Sequence, residues 1–446
     1  MDKKQQLTQQ QRSKPELWGG LECTINRVGD KYRDQLELNG HYNRPEDIDC
    51  FAKLGIKALR YPVLWEKHEP EQGVPIDWNW VEQRLYAIRS HGIKPIAGLV
   101  HHGSGPRYTD LLQSSFAEGL AAYASKVAEK FPWIEYYTPV NEPLTTARFS
   151  GLYGCWYPHK ADAYSFAIML LNEVKATVLC MKAIRKINPD AKLIQTDDLG
   201  KIYSTRLLKY QADFENERRW ITFDLLCGKV NSNHKIYKYF VGEGVPPAEL
   251  QFFLENPCPP DIMGLNYYVT SERYLDEDIL EYPEYQRGGN HRHQYADTEA
   301  VRTEFYSGPA PLIREAWDRF HIPIAITEAH IGDSWDEQLR WLKQIHDICC
   351  SSVNAGVDIR AVTAWSLLGA YDWHNLLTKE EGIYERGVFD CRSNPIHPTA
   401  LANLISALAR GNKYDSDVFK TLGWWQKEQR LYPHLRVKNQ EYSYAE

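Results

Sequence analysis

No run of about 18 apolar residues occurs in this 446-residue chain, so nothing in it reads as a membrane-spanning helix. Positive charge is not in excess either: 52 Lys and Arg stand against 59 Asp and Glu, a formal net charge of −7. Without a cationic surplus to neutralise a phosphate backbone, nucleic acid is not an expected partner. The nine cysteines contain no CxxC pair and are scattered singly apart from Cys349-Cys350. That pattern excludes a disulfide framework and suits reduced thiols in the cytoplasm. The opening MDKKQQLTQQQRSKPE lacks the apolar stretch of a secretory signal and reads as a frayed tail. There is no GxGxxG or GxxxxGK[ST] phosphate loop, no Ser/Gly/Pro-rich linker and no repeat of 20 to 50 residues.

What is present is the balance of a globular protein, 43% hydrophobic and 25% charged, with 14 Trp and 28 Tyr. Such aromatics suit core packing and, because they combine a flat face with a polar edge, sugar stacking. Along the chain, short apolar runs alternate with longer segments of helical period. The runs are ELWGGLEC (16–23), IKALRYP (56–62), IKPIAGLVHH (93–102), IEYYTPVNE (134–142), AKLIQTD (191–197), DIMGLNYY (261–268), PIAITE (323–328) and RAVTAWSLL (360–368). Helices are expected near 79–91, 116–130, 161–187, 309–320 and 335–355, the last with Ser334 as N-cap and Gly356 past its end. Continuously apolar strands are buried on both faces, which marks a parallel sheet. Eight of them joined by right-handed crossovers close most simply into a single (β/α)8 TIM barrel, class α/β. An open doubly wound sheet is the alternative, disfavoured by the missing phosphate loop. The expected organisation is one domain over 16–430, with tails at 1–15 and 431–446.

In such a barrel the chemistry sits where strands end. The polar residues closing the apolar runs are Arg60, His101, Asn141, Glu142, Asp197, Asn266, Tyr267, Tyr268 and Glu328, with Trp365 inside the last run. Glu142 and Glu328 fall on the fourth and seventh expected strands, facing each other across the mouth. Two carboxyl groups across a cleft are what glycosidic cleavage needs, one to protonate the leaving oxygen and one to attack or to activate water. The competing reading of either Glu alone is a buried salt bridge, for instance with Arg60. The long stretch 274–303 lacks helical or strand period and is expected to be a loop, solvated or acting as a lid over the cleft.

Thr138-Pro139-Val140-Asn141-Glu142-Pro143 resembles the TxNEP motif, and Ile326-Thr327-Glu328 the ITEN motif, of glycoside hydrolase family 1, the retaining β-glycosidases. Leu17-Trp18-Gly19, Arg60-Tyr61 with Trp65, His101, the stretch 154–159, Gly264-Leu265-Asn266-Tyr267-Tyr268 and Trp365-Ser366-Leu367-Leu368 resemble further segments of that family in the same order. The resemblance spans about 17–410. It implies that Glu328 is the nucleophile and Glu142 the acid/base, about 5 to 5.5 Å apart as in retaining enzymes. Asn141 would then bind the sugar 2-hydroxyl, and Arg60 and Tyr268 would hold Glu328 ionised and aimed. His101 would bind a sugar hydroxyl, and Trp365 would lie beneath the ring with Trp373 nearby.

Several positions depart from the family pattern. Ala329-His330 stand where the family has Asn-Gly, and His102 stands where it has Trp. The family's first-strand Gln is missing, with Asn26 and Glu22 as polar candidates for its task. Asp372 occupies the place of the Glu that reads the 4- and 6-hydroxyls, one methylene shorter, so an altered glycone is expected. The expectation is a retaining β-glycosidase without cofactor or metal, acting on a small carbohydrate or glycoside. A transglycosidase with an acceptor site near Trp156 and Tyr157 and a carbohydrate-binding protein on the same barrel are the alternatives. A metal hydrolase would require ligands such as His101, Asp197 and His330. The sugar, the aglycone and the oligomeric state are not legible in the sequence.

Overall fold

The computed structural model describes residues 14–435. Eight parallel strands close into a barrel in chain order: β1 (Glu16–Gly20), β2 (Ala58–Pro62), β3 (Lys94–His101), β4 (Tyr136–Asn141), β5 (Lys192–Asp198), β6 (Ile262–Tyr268), β7 (Ile324–His330) and β8 (Ile359–Ala364). Each coincides with one of the eight apolar runs, β5 and β8 reaching one residue and β7 two residues beyond it. Closure is made by β8 on β1, where Trp18 pairs with Thr363.

The barrel interior is filled. Trp18, Ala58, Ile96, Ile194, Ala325 and Ala361 form a buried plug against which Tyr136 and Ile262 pack, so every strand contributes one residue. One indole set among alanines lets the layer interdigitate at the density of a protein core. The same crowding requires glycine at 264, where a Cβ would stand 2.8 Å from Thr196 Cγ2 and from Thr327 Oγ1. The outer faces of the strands bury against the helices Asn79–Ser90, Ser115–Lys130, Ala163–Ile187, Pro309–Phe320, Trp335–Asn354 and Ala400–Ala409. Helix starts follow local chemistry: Asp162 accepts from the Ser165 N–H at 2.7 Å, and Ser334 Oγ accepts from the Glu337 N–H at 3.4 Å.

Two expectations change. The stretch 274–303 is not a featureless loop. Its strands Arg273–Asp276, Arg287–Gly289 and Gln294–Glu299 join Ile202–Ser204 in a four-stranded sheet beside the barrel mouth. The strands are short, and Ile202–Ser204 comes from a distant part of the chain, so periodicity did not reveal them. The expected tails fall largely on 1–13 and 436–446, outside the described residues. Residues 431–435 do not behave as a tail: the Tyr432 N–H donates to the Arg302 carbonyl at 3.0 Å, and its hydroxyl meets Thr298 Oγ1 at 2.7 Å. Among the described residues no helix is long and apolar enough to cross a membrane.

Candidate active site

The chain leaves β4 through Glu142 in a left-handed conformation, φ 45° and ψ 64°, and Pro143 opens the short helix Pro143–Ala147. This sharp exit turns the Glu142 side chain into the barrel mouth, where it is buried. Its Oε1 accepts from Asn266 Nδ2 at 2.5 Å, and its Oε2 lies 3.7 Å from His102 Nε2. Thr327 Oγ1 donates to Asn266 Oδ1 at 2.7 Å, which fixes the amide with its NH2 toward Glu142.

Glu328 leaves β7 beside an irregularity in the register with β6. Arg60 Nη1 donates to Glu328 Oε1 and to the Thr327 carbonyl, both at 2.8 Å, while Nη2 donates to Asn141 Oδ1 at 2.6 Å. One guanidinium thus ties β2, β4 and β7 together. Its carbon sits 4.7 Å from the Trp365 ring centroid, a cation–π contact that holds it in a dry place. Tyr268 donates its hydroxyl to Glu328 Oε2. Asn141 Oδ1 also accepts from Thr196 Oγ1 at 2.8 Å, leaving Nδ2 beside His101 Nε2 at 3.2 Å and His102 Nε2 at 3.3 Å.

The two carboxyl groups are electrostatically unequal. Burial, then Glu328 and Asp198, push the Glu142 carboxyl well above its ordinary range. Burial raises Glu328 as well, against the pull of Arg60 and Tyr268. Arg60 and Tyr268 pull it down as expected, but desolvation outweighs them, so they limit the rise rather than cancel it. His101 is driven well below its ordinary value by burial, then by His102 and Arg60. His102 is pushed down to about 3 by burial and then Arg60, so both imidazoles are neutral near pH 7. Among the described residues no Lys or Arg pairs with Glu142.

Both carboxyl groups line one cavity of about 1330 Å³, together with Glu22, Tyr268, Trp365 and Trp373. Its size leaves room beyond a single sugar ring. Glu22 accepts from the Thr24 N–H at 3.0 Å and is pushed up to about 7 by burial. Asn26 is fully buried away from the cavity wall, so of the two first-strand candidates Glu22 is the one in place. His101 does not line the cavity; its ring stacks on Trp365 at 5.5 Å and 9°, and His102 faces the space instead. Asn141 and Arg60 lie just behind the lining.

Asp372 is a correction. Its carboxylate accepts three backbone N–H groups of its own loop, from Glu381 at 3.2 Å, Gly382 at 3.1 Å and Ile383 at 2.8 Å, and does not line the cavity. The shorter side chain caps a turn rather than reaching for sugar. Trp156 and Tyr157 are also off the cavity wall: the Trp156 indole donates to the Leu376 carbonyl at 2.7 Å, and Tyr157 lies 3.7 Å beneath the Arg27 guanidinium. No acceptor platform forms there. Among the described residues no three His, Cys, Asp or Glu side chains gather as a metal-binding group, so His101, Asp197 and His330 stay apart.

Four features escaped the sequence reading. Asn266 was recognised as a strand-end polar residue but not as the partner of Glu142. Asp198, on β5, and Arg148, six residues past Glu142, line the cavity. His330 forms an ion pair with Glu385 on the same wall. Only the polar strand ends carried a signal, since Glu385 lies far from any strand of the barrel.

A (β/α)8 barrel with two unequally partnered carboxyl groups in one mouth cavity defines a glycoside hydrolase. The profile described as Glycosyl hydrolase family 1 matches residues 24–386, and the chain belongs to that family. It is a retaining β-glycosidase. Similar proteins include Beta-glucosidase A of Thermotoga maritima, 23% identical over 387 residues covering 77% of this chain and 81% of that one. Coniferin beta-glucosidase of Pinus contorta is 22% identical, covering 83% and 82%. The 6-phospho-beta-glucosidase of Dickeya chrysanthemi is 22% identical, covering 77% and 79%. The solved structure of a Thermotoga maritima beta-glucosidase in complex with deoxynojirimycin superposes with a TM-score of 0.71 at 17% identity, covering 90% of this chain and 98% of that one, which shows the shared fold.

Proposed function

We propose that Glu328 is the nucleophile and Glu142 the acid/base of a double displacement on a β-linked glycoside. The unequal partnering of the two groups carries this assignment. Arg60 and Tyr268 both converge on Glu328, which favours its ionised form, whereas Glu142 meets only an amide and a neutral imidazole and keeps its proton. In the first step a Glu328 oxygen bonds to the anomeric carbon as the bond to the leaving oxygen breaks, and the Glu142 proton passes to that oxygen. In the second step water attacks the same carbon, Glu142 takes the water proton, and Glu328 departs. Asn141, oriented by Arg60 and Thr196, binds the 2-hydroxyl through Nδ2, and Trp365 lies under the ring with Trp373 beside it.

The relatives named as β-glucosidases make aryl β-D-glucosides the first substrates to try. The catalytic unit spans 16–430, and nine free cysteines fit a reducing, cytoplasmic setting. Replacement Glu328→Gly should abolish turnover, and added azide should restore it as the glycosyl azide of inverted configuration. Undiminished hydrolysis in that variant overturns the assignment.

A further inference from the structure

Asp372, the position expected to read the distal sugar hydroxyls, does not line the cavity. All the hydrogen bonds recorded for the Asp372 carboxylate go to the backbone N–H groups of Glu381, Gly382 and Ile383. The hairpin that encloses Asp372, Ala370–Tyr371 paired with Tyr384–Glu385, delivers another carboxylate to the cavity. Glu385 Oε1 accepts from His330 Nε2, two residues past Glu328 on β7. Its Oε2 has no hydrogen-bond partner among the described residues, and the side chain keeps 29% of its surface exposed. Burial raises its pKa, but His330 and then His374 outweigh that and hold Glu385 below the ordinary carboxyl range, so it is ionised near neutral pH. Space has been kept for it: a Cβ at Gly332 would stand 2.5 Å from Glu385 Oε1 and 2.9 Å from Oε2.

The Glu385 oxygen left open on the cavity wall is satisfied by a hydroxyl group, which donates to it. A carboxylate, or a phosphate monoester as its dianion, has no proton to give Glu385 and would be repelled by it.

We propose that Glu385, held by His330, binds the glycone hydroxyls remote from Asn141, and that the glycone is uncharged. This rests on the retaining reading above, with Glu328 at the anomeric carbon. The proposal separates this chain in substrate class from its 6-phospho-beta-glucosidase relative.

The test uses 4-nitrophenyl β-glycosides of glucose, xylose, galactose and fucose, with the 6-phosphate of the glucoside and the glucuronide as charged probes. The wild-type protein should hydrolyse at least one uncharged probe and neither charged one. Glu385→Ala should lower kcat/KM about 100-fold on the best uncharged probe and about tenfold or less on the partner sugar lacking the hydroxyl it binds. Glu385→Gln, which keeps the shape, should lose less but keep the same ordering. Asp372→Ala should change all probes by one common factor. Equal losses across sugars in Glu385→Ala, no loss at all, or turnover confined to the charged probes overturns the proposal. Turnover surviving in Glu328→Gly would instead remove the retaining reading beneath it.

Discussion

On one side of the cavity the chemical groups leave barrel strands; on the other they hang from a loop. Arg60, Asn141, Tyr268 and Glu328 lie on β2, β4, β6 and β7, Glu142 follows β4 directly, and hydrogen bonds between strands, some of them across the barrel mouth, lock them. Between 369 and 385 the backbone instead passes through left-handed residues at Asp372, Leu376 and Leu377, and its shape is held by the Asp372 cap. The first wall has little freedom to change without unmaking the barrel. The second can be rebuilt by exchanging which side chain caps and which faces the sugar. With the roles proposed above, reaction and specificity are stored in separate parts of the chain.

After loss of Glu328, Glu142→Gln strikes the strand wall hardest. It should lower kcat/KM for an alkyl β-glucoside by about 10²–10⁴-fold, and by much less for a 2,4-dinitrophenyl leaving group that needs no proton. It should also erase the alkaline limb of the pH profile. In the proposed roles Glu142 acts protonated, so activity should fall as pH rises through its raised pKa, and Glu328 acts ionised, so activity should fall as pH drops through its own.

Arg60→Lys keeps the charge but loses the fork that reaches Glu328, Thr327 and Asn141 at once. A drop in kcat/KM of about 10²–10³-fold, with the acid limb moved upward, is expected from pH–rate measurements. Asn266→Ala removes the hydrogen bond that holds Glu142 down, so the alkaline limb should move further upward, with about tenfold loss of kcat/KM. The smallest catalytic effect belongs to the loop wall. Asp372→Ala strips three backbone N–H groups of their acceptor and should cost about 1–3 kcal/mol of stability in urea titration, leaving the preference among sugars unchanged. A changed preference would mean that the cap also reads the substrate.

The strand wall was legible because each buried strand is an uninterrupted apolar run, so a polar residue at its end stands out. Arg60, Glu142, Asn266 and Glu328 all announce themselves in this way. The loop wall was not. Asp372 stands at the family position for a sugar-reading carboxylate, and nothing in its neighbours says that its oxygens bind Gly382 and Ile383 instead. Glu385 sits in a two-residue strand with no periodic signal, and its partner His330 is 55 residues away in sequence. The sheet over the mouth was hidden for the same reason, since Ile202–Ser204 and Arg273–Asp276 are each too short to show a period and pair only through the fold.

The end of the chain also takes part in the entrance. Trp424, Lys427, Gln429 and Arg430 line the cavity, and Arg430 Nη1 donates to the Val301 and Thr303 carbonyls of the segment following the four-stranded sheet. The Tyr432 ring then meets Tyr282 edge-on at 5.4 Å. This part of the cavity wall thus comes from chain that follows all eight barrel strands. A protease nick or an immobilisation handle placed near residue 430 will act on which aglycones are admitted, while the reacting carboxyl groups keep their places.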